Sequence, residues 1–247
     1  VATAVLGIAA YGVFLAATVP ARFVAAMVQS ETQGRMRMSD ASGTLWRGSA
    51  KAVVGSPGGT LALDRLDWRF LPGRIAAGRI AFEMKAGSPG LEAGGEVGKS
   101  FSAWEVRDFD ARGNVSLLAA VLPWIAAWRP DGTALASSPS FSWNGREARG
   151  ELRIEWRGAG LSLASVRPLG TYRAEVRAEG GPARMKVTTV DGPLRVAGQG
   201  TLTLPSRFEF SGEARAEGAD AKSLESLLDL MGVRRADGSR ALDWRIN

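Results

Sequence analysis

The chain has no cysteine and no histidine among its 247 residues. Without thiols no disulfide can form, and no thiolate can attack a substrate or hold a metal. This does not fix the compartment, but it removes any redox conflict with an oxidising one. Without imidazole the commonest metal ligand and the usual general base near neutral pH are both missing. Serines occur throughout, yet no histidine is there to activate one. Single-sign charge runs are missing too. The net charge is +6, but the basic residues, mostly arginine, alternate with acids and form no basic stripe. No nucleic-acid partner is expected from such a mixed, solvated pattern.

The phosphate-binding loops fail on register. Gly98-Lys99-Ser100 would need a glycine five residues before Gly98, where Ala93 stands. Gly198-Gln199-Gly200 lacks the third glycine of a dinucleotide loop and is followed by strand-like sequence. Asp64 with Asp67 and Asp108 with Asp110 are carboxylate pairs, and Asp108 and Asp110 would share a strand face. With no histidine and no burial signal beside them, they read as solvated strand acids. No catalytic, cofactor-binding or metal site is expected, and no cofactor.

What the chain does have is turn residues and alternation. With 31 Gly, 11 Pro and 45% hydrophobic residues, it reads as a folded, turn-rich protein. The clearest signal is Glu151 to Ala178. Leu152, Ile154 and Trp156 fall on one side of a period of two, with Glu151, Arg153, Glu155 and Arg157 on the other. After a break at 158–160, a segment from Leu161 leads to Pro168-Leu169-Gly170. Then Tyr172, Ala174 and Val176 alternate with Arg173, Glu175 and Arg177. Successive strand side chains point to opposite faces, so these are strands with one apolar and one wet face. Leu152, Ile154, Trp156, Tyr172 and Val176 are the candidate lining of an apolar groove or core. Pro168 and Gly170 mark a bend.

An echo precedes it. Leu66, Trp68 and Phe70 share a face, Pro72-Gly73 breaks the pattern, and Ile80, Phe82 and Met84 resume it. This suggests a diverged internal repeat, although any antiparallel meander gives such matches. Leu61 and Leu63 are out of phase with Leu66 and Trp68, which predicts a bulge near Asp64-Arg65. Further strands are expected over 79–85, 91–97 and 103–110, and later over 161–166, 184–190, 194–197, 201–204 and 208–216. A helix from Asn114 would carry Leu117, Leu118, Val121, Leu122 and Ile125 on one stripe. Trp124 and Trp128 read as packing residues in preference to membrane-interface ones. Pro130 to Pro139 is the expected boundary between halves. The chain closes with a helix: Asp220 as N-cap, Leu224, Leu227, Leu228 and Met231 at i, i+3, i+4, i+7, and Gly232 after it.

Val1 to Val19 carries no charge and is long enough to span most of a hydrocarbon core. Val5, Leu6, Ile8, Tyr11, Val13, Phe14 and Leu15 are its anchor residues. Phe23 to Val28 is apolar again, so the anchor is drawn over 1–28. A cleaved signal peptide and a buried helix are the alternatives; the run is long for the first and apolar all round for the second. Arg22, Arg35 and Arg37 follow it, but long downstream domains cross largely regardless of charge. The expected organisation is an anchor over 1–28, a linker over 29–42, a β half with a closing helix over 43–130, and a second β half over 131–247. The fold class is mainly β: a transmembrane helix followed by a large antiparallel sheet domain. The sheet is either curved or folded into a sandwich, in two similar halves that each end in an amphipathic helix.

Several segments resemble the protein N (GspN-type) family of the bacterial type II secretion system. They are Gly43-Thr44-Leu45-Trp46-Arg47-Gly48, Leu66-Asp67-Trp68 with Pro72, Gly150 to Trp156, Pro168-Leu169-Gly170-Thr171-Tyr172-Arg173, Thr189 to Leu194 with Gly198-Gln199-Gly200, and Phe210 to Ala214. Trp46, Trp68, Pro168, Gly170 and Tyr172 are the family-motif positions. The chain is also similar to the wider AsmA-like group, whose β-rich domains are linked to lipid handling. The resemblance implies a non-enzymatic inner-membrane protein with one transmembrane helix and a periplasmic main domain. It also implies partners among the other secretion subunits and the membrane, with lipid as a further candidate. Two functions follow: an interaction component of the secretion apparatus, or a lipid-binding module whose apolar strand faces line a groove. The second has a physical motive, since many one-sided strands share only two visible amphipathic helices to cover them.

Overall fold

The computed structural model describes residues 18–56, 59–119, 127–203 and 207–246. The expected anchor residues Val5 to Leu15 lie outside the described residues. Among the described residues, no helix is long and apolar enough to cross a membrane.

The described chain forms one antiparallel sheet of fourteen strands. They are β1 (Met36–Gly43), β2 (Arg47–Ser56), β3 (Gly59–Phe70), β4 (Ile80–Ser88), β5 (Leu91–Lys99), β6 (Trp104–Asn114), β7 (Asp131–Trp143), β8 (Ala148–Gly160), β9 (Gly170–Glu179), β10 (Ala183–Asp191), β11 (Leu194–Thr203), β12 (Arg207–Ala216), β13 (Val233–Arg234) and β14 (Arg240–Ile246). Each strand pairs with the next up to β12, which pairs with β14, and β14 with β13. The sheet does not close, because β1 and β13 are its two edges. Of the two expected arrangements, this is the single sheet. Periodicity names the faces of strands but not their partners; short connections between successive strands favour the meander.

Helix α1 (Ala21–Glu31) takes the place of the expected anchor continuation through Val28. Its Ala21 and Val24 pack on Met38, Ala50, Trp68 and Met84. It ends where Gln33 and Gly34 both take positive φ, a left-handed exit that stops a helix. The expected linker over 29–42 therefore holds the end of α1 and the edge strand β1. A second short helix, α2 (Val115–Ala119), follows β6; the remainder of the expected stripe, from Val121 to Ile125, lies outside the described residues. Helix α3 (Glu225–Met231) follows a 3-10 turn over Lys222–Leu224.

Several local expectations are corrected. Residues 161–166 form no strand: they are a loop that carries Leu161, Ala164 and Val166 to the cluster under α3. Within the stretch from Pro130 to Pro139, β7 shifts register between Ser137 and Phe141, so Pro139 sits in an irregular stretch where no ladder donor is needed. The chain does not close with its helix, because β14 follows it and pairs along β12. Asp220 makes no side-chain cap. Gly232 is extended (φ 178°); it is small because a Cβ there would strike the carbonyl of Ala241. The bulge expected near Asp64-Arg65 is present: Ala50 pairs with Leu66 but Ala52 with Leu63. One additional residue on β3 brings Leu63 and Leu66 to the same face, where Leu63, Leu66 and Ala52 cluster.

Candidate functional site

The two faces of the sheet differ in polarity, and the partners show how. Ala50, Leu66, Ala86, Ala93, Ala111, Ala136, Ile154, Ala174, Val187, Gly198, Gly212 and Leu242 stand opposite one another in turn, in one row across the sheet. One residue along each strand lies the opposite face. There Arg69 pairs with Glu83, Arg173 with Glu155 at 3.0 Å, Arg177 with Glu151 at 3.4 Å and Arg153 with Glu175 at 3.9 Å. Exposed pairs of this kind are screened by water and salt, so together they set register and solubility more than stability. Glu155 is held below the usual carboxylate range by hydrogen bonds from Arg157 and Arg173. For Glu105, burial opposes the charge, but the hydrogen bond and charge of Arg79 at 2.7 Å, with Arg107 beside it, outweigh burial and lower the pKa.

On the apolar face, Leu152 stands opposite Val176, Ile154 opposite Ala174 and Trp156 opposite Tyr172. The Trp156 and Tyr172 rings are 6.0 Å apart at 50°. Trp156 donates its indole N–H to the Asp131 carbonyl at 2.8 Å. The Tyr172 hydroxyl donates toward the carbonyls of Leu194 at 2.9 Å and Leu169 at 3.2 Å. Burial pushes the phenol well above its ordinary pKa, so this hydroxyl is a latch and not an acid. It ties the start of β9 to the start of β11 and to the loop after β8. The floor of this face across β4–β7 is small: Ala86, Ala93, Ala111 and Ala136. On these strands Met84 and Phe109 flank it on one side, alternating with Gly95 and Ser138, and Leu91 flanks it on the other among Ser88, Gly113 and Ala134; larger residues, Leu152, Trp156 and Tyr172, follow on β8 and β9. The small residues escaped the sequence reading because alanine gives alternation little contrast.

The motif positions do not converge on one site. In the first group, Trp68 is buried and donates its indole N–H to the carbonyls of Thr44 and Leu45, each at 3.1 Å. Gly48 lies opposite Trp68, and a Cβ on it would strike the ring. The Trp46 ring lies 4.8 Å from that of Phe70, tilted at 59°. In the second group, Pro168 and Gly170 form the β8–β9 connection. Gly170 has φ 151°, and a Cβ on it would meet the Asp191 carbonyl. The last motifs repeat the first device, since a Cβ on Gly198 would strike the Phe210 ring. An aromatic ring laid over a cross-strand glycine explains why these residue types recur in the motifs: they are packing devices.

Asp108 takes a positive φ of 47° at a register shift of β6 against β5. Among the described residues no group of three or more carboxylates is placed to hold a metal.

The fold thus defines a class: an open, single-sheet β protein with one apolar and one ion-paired face. Within it the family is specific. A family model described as "Type II secretion system (T2SS), protein N" matches residues 34–243, and the chain belongs to that family. It is also similar to a protein named "Type II secretion system protein N" from Pectobacterium carotovorum subsp. carotovorum. The two are 23% identical over an alignment 256 positions long, which covers 99% of this chain and 96% of that one. No solved structure matches the chain.

Proposed function

We propose that this chain is a non-catalytic component of the type II secretion system, held at the inner membrane by the apolar run over Val1 to Val19. Its sheet domain is periplasmic and supports export of folded proteins by contacting other secretion subunits. The observation that carries this reading is the family match over 34–243, which takes in the sheet from before β1 into β14. The test is an in-frame deletion. Exoproteins should collect in the periplasm and be released again when the full chain is restored, and photo-crosslinkers on the ion-paired face should capture secretion subunits. Normal secretion with no captured subunit would contradict the proposal. Topology has its own test: alkaline phosphatase fused after Asn247 should be active, and an active cytoplasmic reporter there would reverse the assignment.

A second reading, lipid binding, is favoured by the alanine-floored strip on the apolar face. Across β4 to β7 it runs about 15 Å at normal strand spacing. A hydrocarbon chain fits such a strip because it needs no hydrogen-bond partners. Lipid retained by the purified chain, read by mass spectrometry, would support it.

Division into halves over 43–130 and 131–247 also belongs to the proposal. Six strands precede α2 and six more precede α3. The bends differ in place: Pro72 leads from the third strand to the fourth, and Pro168 from the second of its set to the third. Copurification of the two halves expressed as separate chains would support the division.

A further inference from the structure

In an antiparallel meander every second strand starts where its neighbour stops. One end of this sheet therefore collects the ends of β1, β3, β5 and β7 and the starts of β2, β4, β6 and β8. At that end Ile80 stands opposite Lys99, Lys99 opposite Trp104, and Trp104 opposite Trp143, on four successive strands. Ile80 is 60% exposed, Trp104 51% and Trp143 41%. Beside them, Phe101 in the β5–β6 turn is fully exposed, and Ile75 in the 3-10 helix over Pro72–Ala77 is 56% exposed. The Lys99 ammonium lies 5.1 Å from the centre of the Trp104 ring. Soluble proteins seldom leave aromatic residues gathered this way without a partner.

The N-terminal run joins the fold at the same end. Leu45 donates its N–H to the Val19 carbonyl at 2.8 Å, and Pro20 bridges to Thr44. Both contacts lie between the end of β1 at Gly43 and the start of β2 at Arg47. Residues 1–19 carry no charge. From β2 to β6 is four strand spacings, about 20 Å along the sheet edge.

We propose that this rim rests on the headgroup layer of a lipid bilayer. The proposal rests on the membrane-anchor part of the function proposed above. The residue types fit that layer. Tryptophan presents an apolar body with one polar N–H, which suits the boundary between acyl chains and water. Phe101 and Ile75 supply apolar surface to bury, and Lys99, whose ammonium lies beside the Trp104 ring, brings a positive charge for lipid phosphate. A flat protein partner would satisfy the rings as well, but the chain delivers its own uncharged run to this end. The sheet would then stand with its strands rising from the membrane, and the β8–β9 loop at the far end.

The test uses the absence of cysteine. A nitroxide on Phe101→Cys is compared with one on Leu163→Cys, an exposed position (59%, against full exposure at Phe101) in the loop at the opposite end. The full chain is placed in vesicles of equal parts phosphatidylethanolamine and phosphatidylglycerol. The label at 101 should be severalfold less accessible to a water-soluble nickel relaxant than the label at 163, and more accessible to oxygen. Chain that floats with the vesicles while both labels are equally wet overturns the rim contact and leaves the anchor standing. Chain that does not float overturns both. A label at 101 that is wet in vesicles but shielded in cell envelopes means that a protein covers the rim, and also overturns the proposal.

Discussion

The two ends of the sheet and its middle solve the same problem differently. All three present an apolar face. Under α3, Leu224, Leu227 and Leu228 meet Leu194, Phe210, Ala214 and Leu242 to form the largest buried cluster, with every one of these residues at most 5% exposed. Even Arg240 is drawn under this helix, its guanidinium donating from Nε to Asp229 at 3.1 Å. Under α1 the cover is thinner: Ala21 is buried, while Phe23 and Met27 of the same helix face outward at 57% and 60% exposed. Across β8 and β9, Leu152, Ile154, Trp156 and Val176 stay half-buried. The strands are alike in pattern, so what differs is whether the chain supplies a helix to lay on them. Strand alternation fixes which side is apolar; it does not fix what covers that side.

The comparison can be broken most forcefully at the covered end. Leu227→Asp would bury an unpaired carboxylate, at a cost of several kcal/mol. Loss of the cooperative thermal transition is the expected result, read by circular dichroism. Next comes the ring-over-glycine device under α1. Gly48→Ala forces a methyl group into the Trp68 ring and should cost about 1–3 kcal/mol as overpacking, seen as a lowered melting temperature. Gly55→Ala, where a Cβ meets only the Arg35 carbonyl at 3.6 Å, should change far less and serves as its control.

The latch at Tyr172 is a smaller effect with a signature in pH. Tyr172→Phe leaves two buried carbonyls with one fewer donor and should cost about 1 kcal/mol near neutral pH. The folded-state pKa of this phenol is raised above its unfolded value. Stability is then fully present below the unfolded pKa, near 10, and falls as the pH rises beyond it, because the unfolded chain releases the proton first. The wild type should lose stability more steeply above that point than Tyr172→Phe does. The smallest effect is expected at Glu155→Gln on the ion-paired face, a few tenths of a kcal/mol. The folded pKa of Glu155 is depressed, so its contribution is present above the unfolded carboxylate pKa and is lost as pH falls through the folded one. Denaturant titrations of wild type and variant should converge in acid.

Much of this architecture was legible in the sequence where contrast was high. The alternation from Leu152 to Val176 gave β8 and β9, the phase slip at Asp64-Arg65 gave the bulge, and the spacing of Leu224, Leu227, Leu228 and Met231 gave α3. Edge strand β1 was hidden because Met36 to Gly43 is polar and pairs on one side only. Strand β14 was overlooked beyond a helix that looked terminal, although Leu242 and Trp244 alternate with Asp243 and Arg245. The loop over 161–166 imitated a strand because Leu161 and Leu163 alternate, yet Leu163 is 59% exposed. The small floor from Ala86 to Ala136 and the rim at Trp104 and Trp143 emerge only when strands are set side by side, since cross-strand neighbours are distant in sequence.

The central claim is that the apolar face of β8 and β9 is an accessible surface and not a closed core. Ile154→Asp in the full chain tests it most directly, by thermal unfolding beside Leu227→Asp. A cooperative transition within a few degrees of the wild type, with lipid retention lost, is the predicted result. An Ile154→Asp chain that fails to fold, as Leu227→Asp is expected to, would contradict the account and make that face a core.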